Sequence, residues 1–147
     1  MKQIEKTIIT VQITINAPLE IVWKYWTTPE DIVKWNAASD DWHTLRAEND
    51  LRKGGKFLSR MEAKDGSFGF DFYGVYENVK PYEQIESLLG DGRKVEIDFK
   101  GNGNETKIVE SFEAESSNSI ELQRGGWQAI LSNFKKYAEK NNLNHLQ

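Results

Sequence analysis

Two side chains fall where the pattern around them calls for carbon. Counting back by twos from Phe112 puts Glu110 on the same strand face as Ile108, and that face is the inner one because Phe112 and Ile108 need burial. Counting back by four from Trp127 puts Gln123 on the helical stripe of Ile120 and Trp127. The sequence thus predicts a carboxylate and an amide that point inward and are able to meet. An unpaired buried carboxylate is costly, so Glu110 must either gain a partner such as Gln123 or keep its proton with a raised pKa. A bulge in the strand would reverse the assignment and put Glu110 in water.

Asp40, Asp41 and His43 form a second candidate group, able to supply oxygen and nitrogen ligands or an acid and a base. The plainer reading is a solvated loop that leads into a strand. No second ligand cluster exists to complete a metal site: the other histidine, His145, lies in the tail, and there is no cysteine. The expectation is therefore no metal and no cofactor. Gly54-Gly55 and Gly101-Asn102-Gly103 are turn glycines rather than phosphate loops entering a helix. No catalytic set can be assigned.

The remaining candidates are large and mostly aromatic. Trp23, Trp26, Trp35 and Trp42 come early, then Phe57, Met61, Phe70, Phe72, Tyr76 and Phe99, with Trp127 late. They can line a cavity for a small hydrophobic molecule or simply build a core. The 19 basic against 23 acidic residues give a net charge of -4, without the basic face that nucleic acid demands. No apolar stretch is long enough for a membrane span or a secretory signal, which fits a cytoplasmic protein.

These side chains need elements to hold them. Ile9, Val11, Ile13 and Ile15 alternate with polar residues as a half-buried strand does. Asn16-Ala17-Pro18 opens a short helix through Trp26, and Thr28-Pro29 restarts a second through Trp35. Glycine turns then separate strands near 43–52, 56–63, 67–79, 83–89, 93–100 and 105–114, whose short connections imply an antiparallel meander. Parity puts Phe57, Ser59, Met61 and Ala63 inside, followed by Ile85, Ser87 and Leu89, then Val95, Ile97 and Phe99. A last helix begins at Asn118, with Glu121 in a capping box, and its stripe includes Trp127, Ile130, Leu131, Phe134 and Tyr137. The polar tail after Asn141 looks frayed. The whole, 1–147, reads as a single α+β domain: a curved antiparallel sheet of about seven strands wrapped on a long C-terminal helix.

Several segments carry a family resemblance. They are Ala17-Pro18 through Val22-Trp23 with Trp35 after Pro29, the run Asp50-Leu51-Arg52-Lys53-Gly54-Gly55-Lys56-Phe57, Gly74-Val75-Tyr76 leading to Pro81, and Gly126-Trp127 followed by Leu131 and Phe134. With them the chain resembles the family named for the activator of the heat shock protein 90 ATPase, within the START and birch-allergen-like superfamily of helix-grip domains. The resemblance implies a sheet around an internal cavity and does not imply one function. Small-molecule binding or carriage comes first, because it needs only the cavity. An enzyme acting on a bound hydrophobic substrate needs converging polar groups, for which Glu110, Gln123 and His43 are the candidates. A co-chaperone comes third, since the eponymous protein carries an additional N-terminal domain for which these 147 residues leave no room. Oligomeric state is not legible.

Overall fold

The computed structural model describes residues 6–145. Strand β1 (Ile8–Ile15) is followed by helices α1 (Leu19–Thr27) and α2 (Pro29–Trp35), six further strands and the long helix α3 (Ile120–His145). The strands are β2 (Trp42–Asn49), β3 (Lys56–Ala63), β4 (Gly69–Lys80), β5 (Gln84–Leu89), β6 (Lys94–Asn102) and β7 (Glu105–Glu113). All pair antiparallel in one sheet of order β1-β7-β6-β5-β4-β3-β2. Short turns fold β2 through β7 into a meander, and the α1–α2 excursion sends the chain from β1, beside β7, to the far edge at β2. This is the α+β helix-grip architecture that the alternation and the C-terminal stripe predict.

Helix α3 packs against β1 and lays Leu131, Phe134 and Ala138 into the core. Its start differs by one residue from the sequence expectation. Ser119, not Asn118, caps the helix, its Oγ accepting from the Leu122 amide at 3.1 Å. At the other end the helix runs on to His145 through part of the tail expected to fray, and residues 146–147 lie outside the described residues.

Two bulges bend the sheet, between Thr44 and Arg46 in β2 and between Tyr76 and Asn78 in β4. Strand β7 has none: its register runs unbroken against β1 and β6. Its parity therefore holds, with Thr106, Ile108, Glu110 and Phe112 all buried.

The Asp50–Gly55 connection explains its glycines by contact. A Cβ on Gly55 would sit 1.9 Å from the Asp50 carbonyl oxygen, whereas Gly54, at φ +83°, has open space around it. The Gly54 amide donates to the Tyr76 carbonyl at 2.8 Å, and the Tyr76 amide to the Gly55 carbonyl at 2.9 Å, so this turn ties itself to β4. Gly55→Ala is expected to destabilise by about 2 kcal/mol or more and Gly54→Ala by about 1 kcal/mol. Urea unfolding of both variants checks the order, and the reverse order would refute the steric account.

Candidate functional site

The bent sheet and α3 do not close on each other completely. Between them, on the side away from β1, lies a cavity of about 530 Å³. Rows of inward side chains are set by strand register, and Glu110, Ile97, Ile85, Val95, Ser87 and Tyr76 of those rows form its floor. One row runs Val11, Glu110, Ile97, Ile85 across β1, β7, β6 and β5. The next runs Phe112, Val95, Ser87, Tyr76 across β7, β6, β5 and β4. Beyond them Phe57 lies over Gly74, where a Cβ would meet its ring at 2.8 Å, and Ser59 and Met61 pair with Phe72 and Phe70. Trp26, Ile32 and Trp35 wall the cavity from α1 and α2, and Gly126, Trp127 and Ile130 from α3. The solvent-exposed lining residues Ala38, Ser39, Glu48 and Phe70 mark its mouth beside edge strand β2.

The walls are held in place by aromatic contacts and a few polar ties. Trp127 stacks on Phe112 with ring centres 3.8 Å apart and 11° between planes. Trp26 and Trp35 pack together at 4.8 Å and meet Phe134 edge-on at 5.0 and 4.8 Å. The Trp35 indole N–H donates to the Tyr25 carbonyl at 2.9 Å, fixing α2 on α1. The Tyr76 hydroxyl donates to Asn49 Oδ1, whose amide in turn donates to the Thr27 carbonyl at 2.6 Å. Burial raises the Tyr76 pKa well above its ordinary value, although the Asn49 contact works the other way. Asn36 Nδ2 donates to Ser59 Oγ at 3.2 Å, a second tie between the helices and the sheet.

Glu110 is the exception among these satisfied groups. It is only 6% exposed, and it lines the cavity. Burial pushes its carboxyl up to about 8; among the described residues no hydrogen bond and no neighbouring charge acts on it. Of the two outcomes the sequence allowed for a buried Glu110, a hydrogen-bond partner is not present among the described residues, and burial shifts its pKa upward.

The expected partner is elsewhere. Gln123 points into its own helix start: Nε2 donates to the carbonyls of Glu115 and Asn118 at 3.1 and 2.9 Å, and Oε1 accepts from the Glu115 amide at 2.9 Å. It clamps the loop before α3 and does not line the cavity. Trp23 and Phe99 also lie outside it. They pack on each other at 5.1 Å beneath α1, with Tyr82 against Trp23 at 5.4 Å. The cavity does bring together Trp26, Trp35, Trp42, Phe57, Met61 and Phe70, and also Phe72, Tyr76, Glu110 and Trp127.

Asp40 and Asp41 are exposed, and Asp40 lines a separate cleft together with the half-buried His43 and with Lys64, Lys136 and Lys140. No group of three or more metal-ligating side chains occurs among the described residues. Asp71 is exposed and pairs with Arg60 at 3.4 Å. The sequence does not single out Asn36, Asn49 or Arg93 as lining; among the polar lining residues outside the expected set, Ser59 and Ser87 gave a signal, as small hydroxyls on otherwise apolar inner faces. No helix among the described residues is long and apolar enough to cross a membrane.

Comparison with known proteins agrees with this geometry. The solution structure of an AHSA1-like protein from Aeromonas hydrophila is 42% identical, with a TM-score of 0.84 over 93% of this chain and 96% of that one. A solution structure from Cytophaga hutchinsonii is 55% identical, with a TM-score of 0.78 over 93% and 94%. A crystal structure from Chromobacterium violaceum, at 20% identity and a TM-score of 0.80 over 90% of this chain and 98% of that one, shares the fold. No curated protein matches. The family model for Activator of Hsp90 ATPase homolog 1-like protein matches residues 16–139, from the turn after β1 to the penultimate turns of α3, and the chain belongs to that family.

Proposed function

We propose that the protein binds a small, mainly apolar molecule in the cavity between the sheet and α3. The cavity itself carries this reading. Protein interiors are packed with few voids larger than a water, and at about 24 cal/mol per Å³ a dry void of 530 Å³ would cost about 13 kcal/mol, as much as a whole domain's stability. Such a space is held open only if solvent or a ligand fills it. Its size lies within the range of about 300–1,000 Å³ typical of small-molecule sites, and its walls are largely aromatic and aliphatic with a few polar groups, as in such sites. Water among these rings would be poorly bonded, so its displacement by an apolar body is favourable.

The test is a panel of medium-chain fatty acids, flat aromatics and sterol-like probes, read by thermal shift and by perturbation of amide NMR signals. A ligand at about 100 times its Kd adds about 2.7 kcal/mol, a rise of roughly 5–10 °C for a domain of this size. Shifted signals are expected on β5, β6 and α3 around Ser87, Ile97 and Trp127. A panel that leaves both the melting temperature and those signals unmoved would overturn the reading.

A further inference from the structure

Resting on that binding reading, we propose that the ligand carries a basic nitrogen, and that Glu110 is its anionic partner at the floor of the cavity, so that the site selects apolar organic cations over neutral or acidic molecules of the same shape. Glu110 sits in mid-strand on β7 with Val11 and Ile97 level with it and Ile108 and Phe112 on either side, an apolar setting that offers it no donor. Among the described residues nothing hydrogen-bonds to it, whereas Tyr76 and Ser59 of the same cavity are tied to neighbours, and Glu110 is the acidic side chain among the buried polar groups of the lining. A carboxylate kept in such a place without a partner is costly to the fold. Among the described residues no side-chain polar atom is both fully buried and unpartnered, so the Glu110 carboxyl opens onto the cavity, and a donor reaches it from there.

The charge of that donor follows from the surroundings. An ammonium at Glu110 gains a charge-assisted hydrogen bond, and the aromatic rings of Trp127, Phe72 and Tyr76, which line the same cavity, suit a cation as well as an apolar body. A carboxylate ligand would set two acids together away from water. The cationic side chain lining the cavity, Arg93, is already committed, its Nε to Asp91 at 2.8 Å and its Nη1 to the Glu113 carbonyl at 3.2 Å. The residues level with Glu110 on β1 and β6, Val11 and Ile97, do not titrate, nor do Trp127 and Ile130 of α3. The other titratable groups of the cavity are Tyr76, bonded to Asn49, Glu48 at the exposed mouth, and Arg93. Because Glu110 holds its proton up to about pH 8, pairing with an ammonium ion releases that proton, and affinity for the cation rises with pH until the amine itself loses charge.

The experiment compares three naphthalene probes of one shape: the aminomethyl cation, the hydroxymethyl neutral analogue and the carboxylate. Calorimetry at about pH 8.5 is expected to show the amine binding about tenfold or more above the alcohol, the carboxylate weakest, and the preference shrinking towards pH 6. The heat of amine binding depends on the ionisation enthalpy of the buffer, and that of the alcohol does not. In Glu110→Gln the preference for the amine disappears while the alcohol still binds. As a readout that needs no variant, the Glu110 side-chain carboxyl carbon, followed by NMR, is expected to titrate at lower pH with the amine bound. Equal binding of the three probes, or a preference that persists in Glu110→Gln, overturns the charge assignment and leaves the cavity reading intact. If all three probes and the apolar panel fail together, both fall.

Discussion

Replacing Glu110 by glutamine is expected to raise stability above pH 8 by roughly 3–5 kcal/mol and to leave it nearly unchanged below pH 4.5. The sign follows from where the proton sits. In the unfolded chain Glu110 titrates at its ordinary value of 4.5, and in the fold burial pushes it up to about 8. Between those values the folded state holds a proton that the unfolded state has lost, so stability falls as pH rises through the window and levels off above it. Each pKa unit is worth about 1.4 kcal/mol. Glutamine keeps the shape and polarity of the protonated acid, which is why the two chains match at low pH. Other groups that shift on folding, such as Glu96 and Asp91, are present in both chains and cancel in the difference. Urea titrations at about pH 4.5, 6.5 and 8.5 read the result directly. A difference between the two chains that does not change with pH would show that Glu110 is solvated, and the account of an apolar, unpartnered site would fail with it.

That Glu110 faces inward was legible from the sequence because β7 is regular. Alternation from Phe112 back through Ile108 needs only an unbroken register, and β7 keeps one against both neighbours. In β4 the same rule breaks at the bulge after Tyr76: Tyr76 faces in opposite Ser87, yet Val79, three residues on, faces in as well and pairs with Ile85. A single count by twos along that strand cannot place both. Gln123 misled for a different reason. It lies on the stripe of Trp127, but the first turn of α3 overhangs the loop before it, so the stripe there meets backbone carbonyls of Glu115 and Asn118 rather than the sheet. Periodicity reports which face a residue takes and not what lies opposite. Trp23 and Phe99 are inward by the same logic, but they fill the closed end beneath α1, whereas Trp26 and Trp35 reach the open part. Asn36 and Asn49 carried no periodic signal, since they act from the end of α2 and the end of edge strand β2, where side chains serve as ties between elements.

The division between closed and open core predicts which helix residue matters most to stability. Phe134 is completely buried, with Trp26 and Trp35 set edge-on against it, so Phe134→Ala removes a ring where no cavity exists and withdraws the support of two walls. The expected cost is about 3–5 kcal/mol, a fall in melting temperature of roughly 10 °C or more. Trp127 is larger, but it is half-buried and borders the cavity, and the space left by Trp127→Ala joins a volume already open to solvent. Its loss is the stack on Phe112 and the apolar area of one ring face, about 2–3 kcal/mol. The smaller residue thus outranks the larger one, because the penalty for a new dry void is added only at Phe134. Denaturant unfolding of the two variants decides the matter. Equal losses, or a loss below about 1 kcal/mol for Phe134→Ala, would mean that the sheet and α3 close differently from the arrangement described.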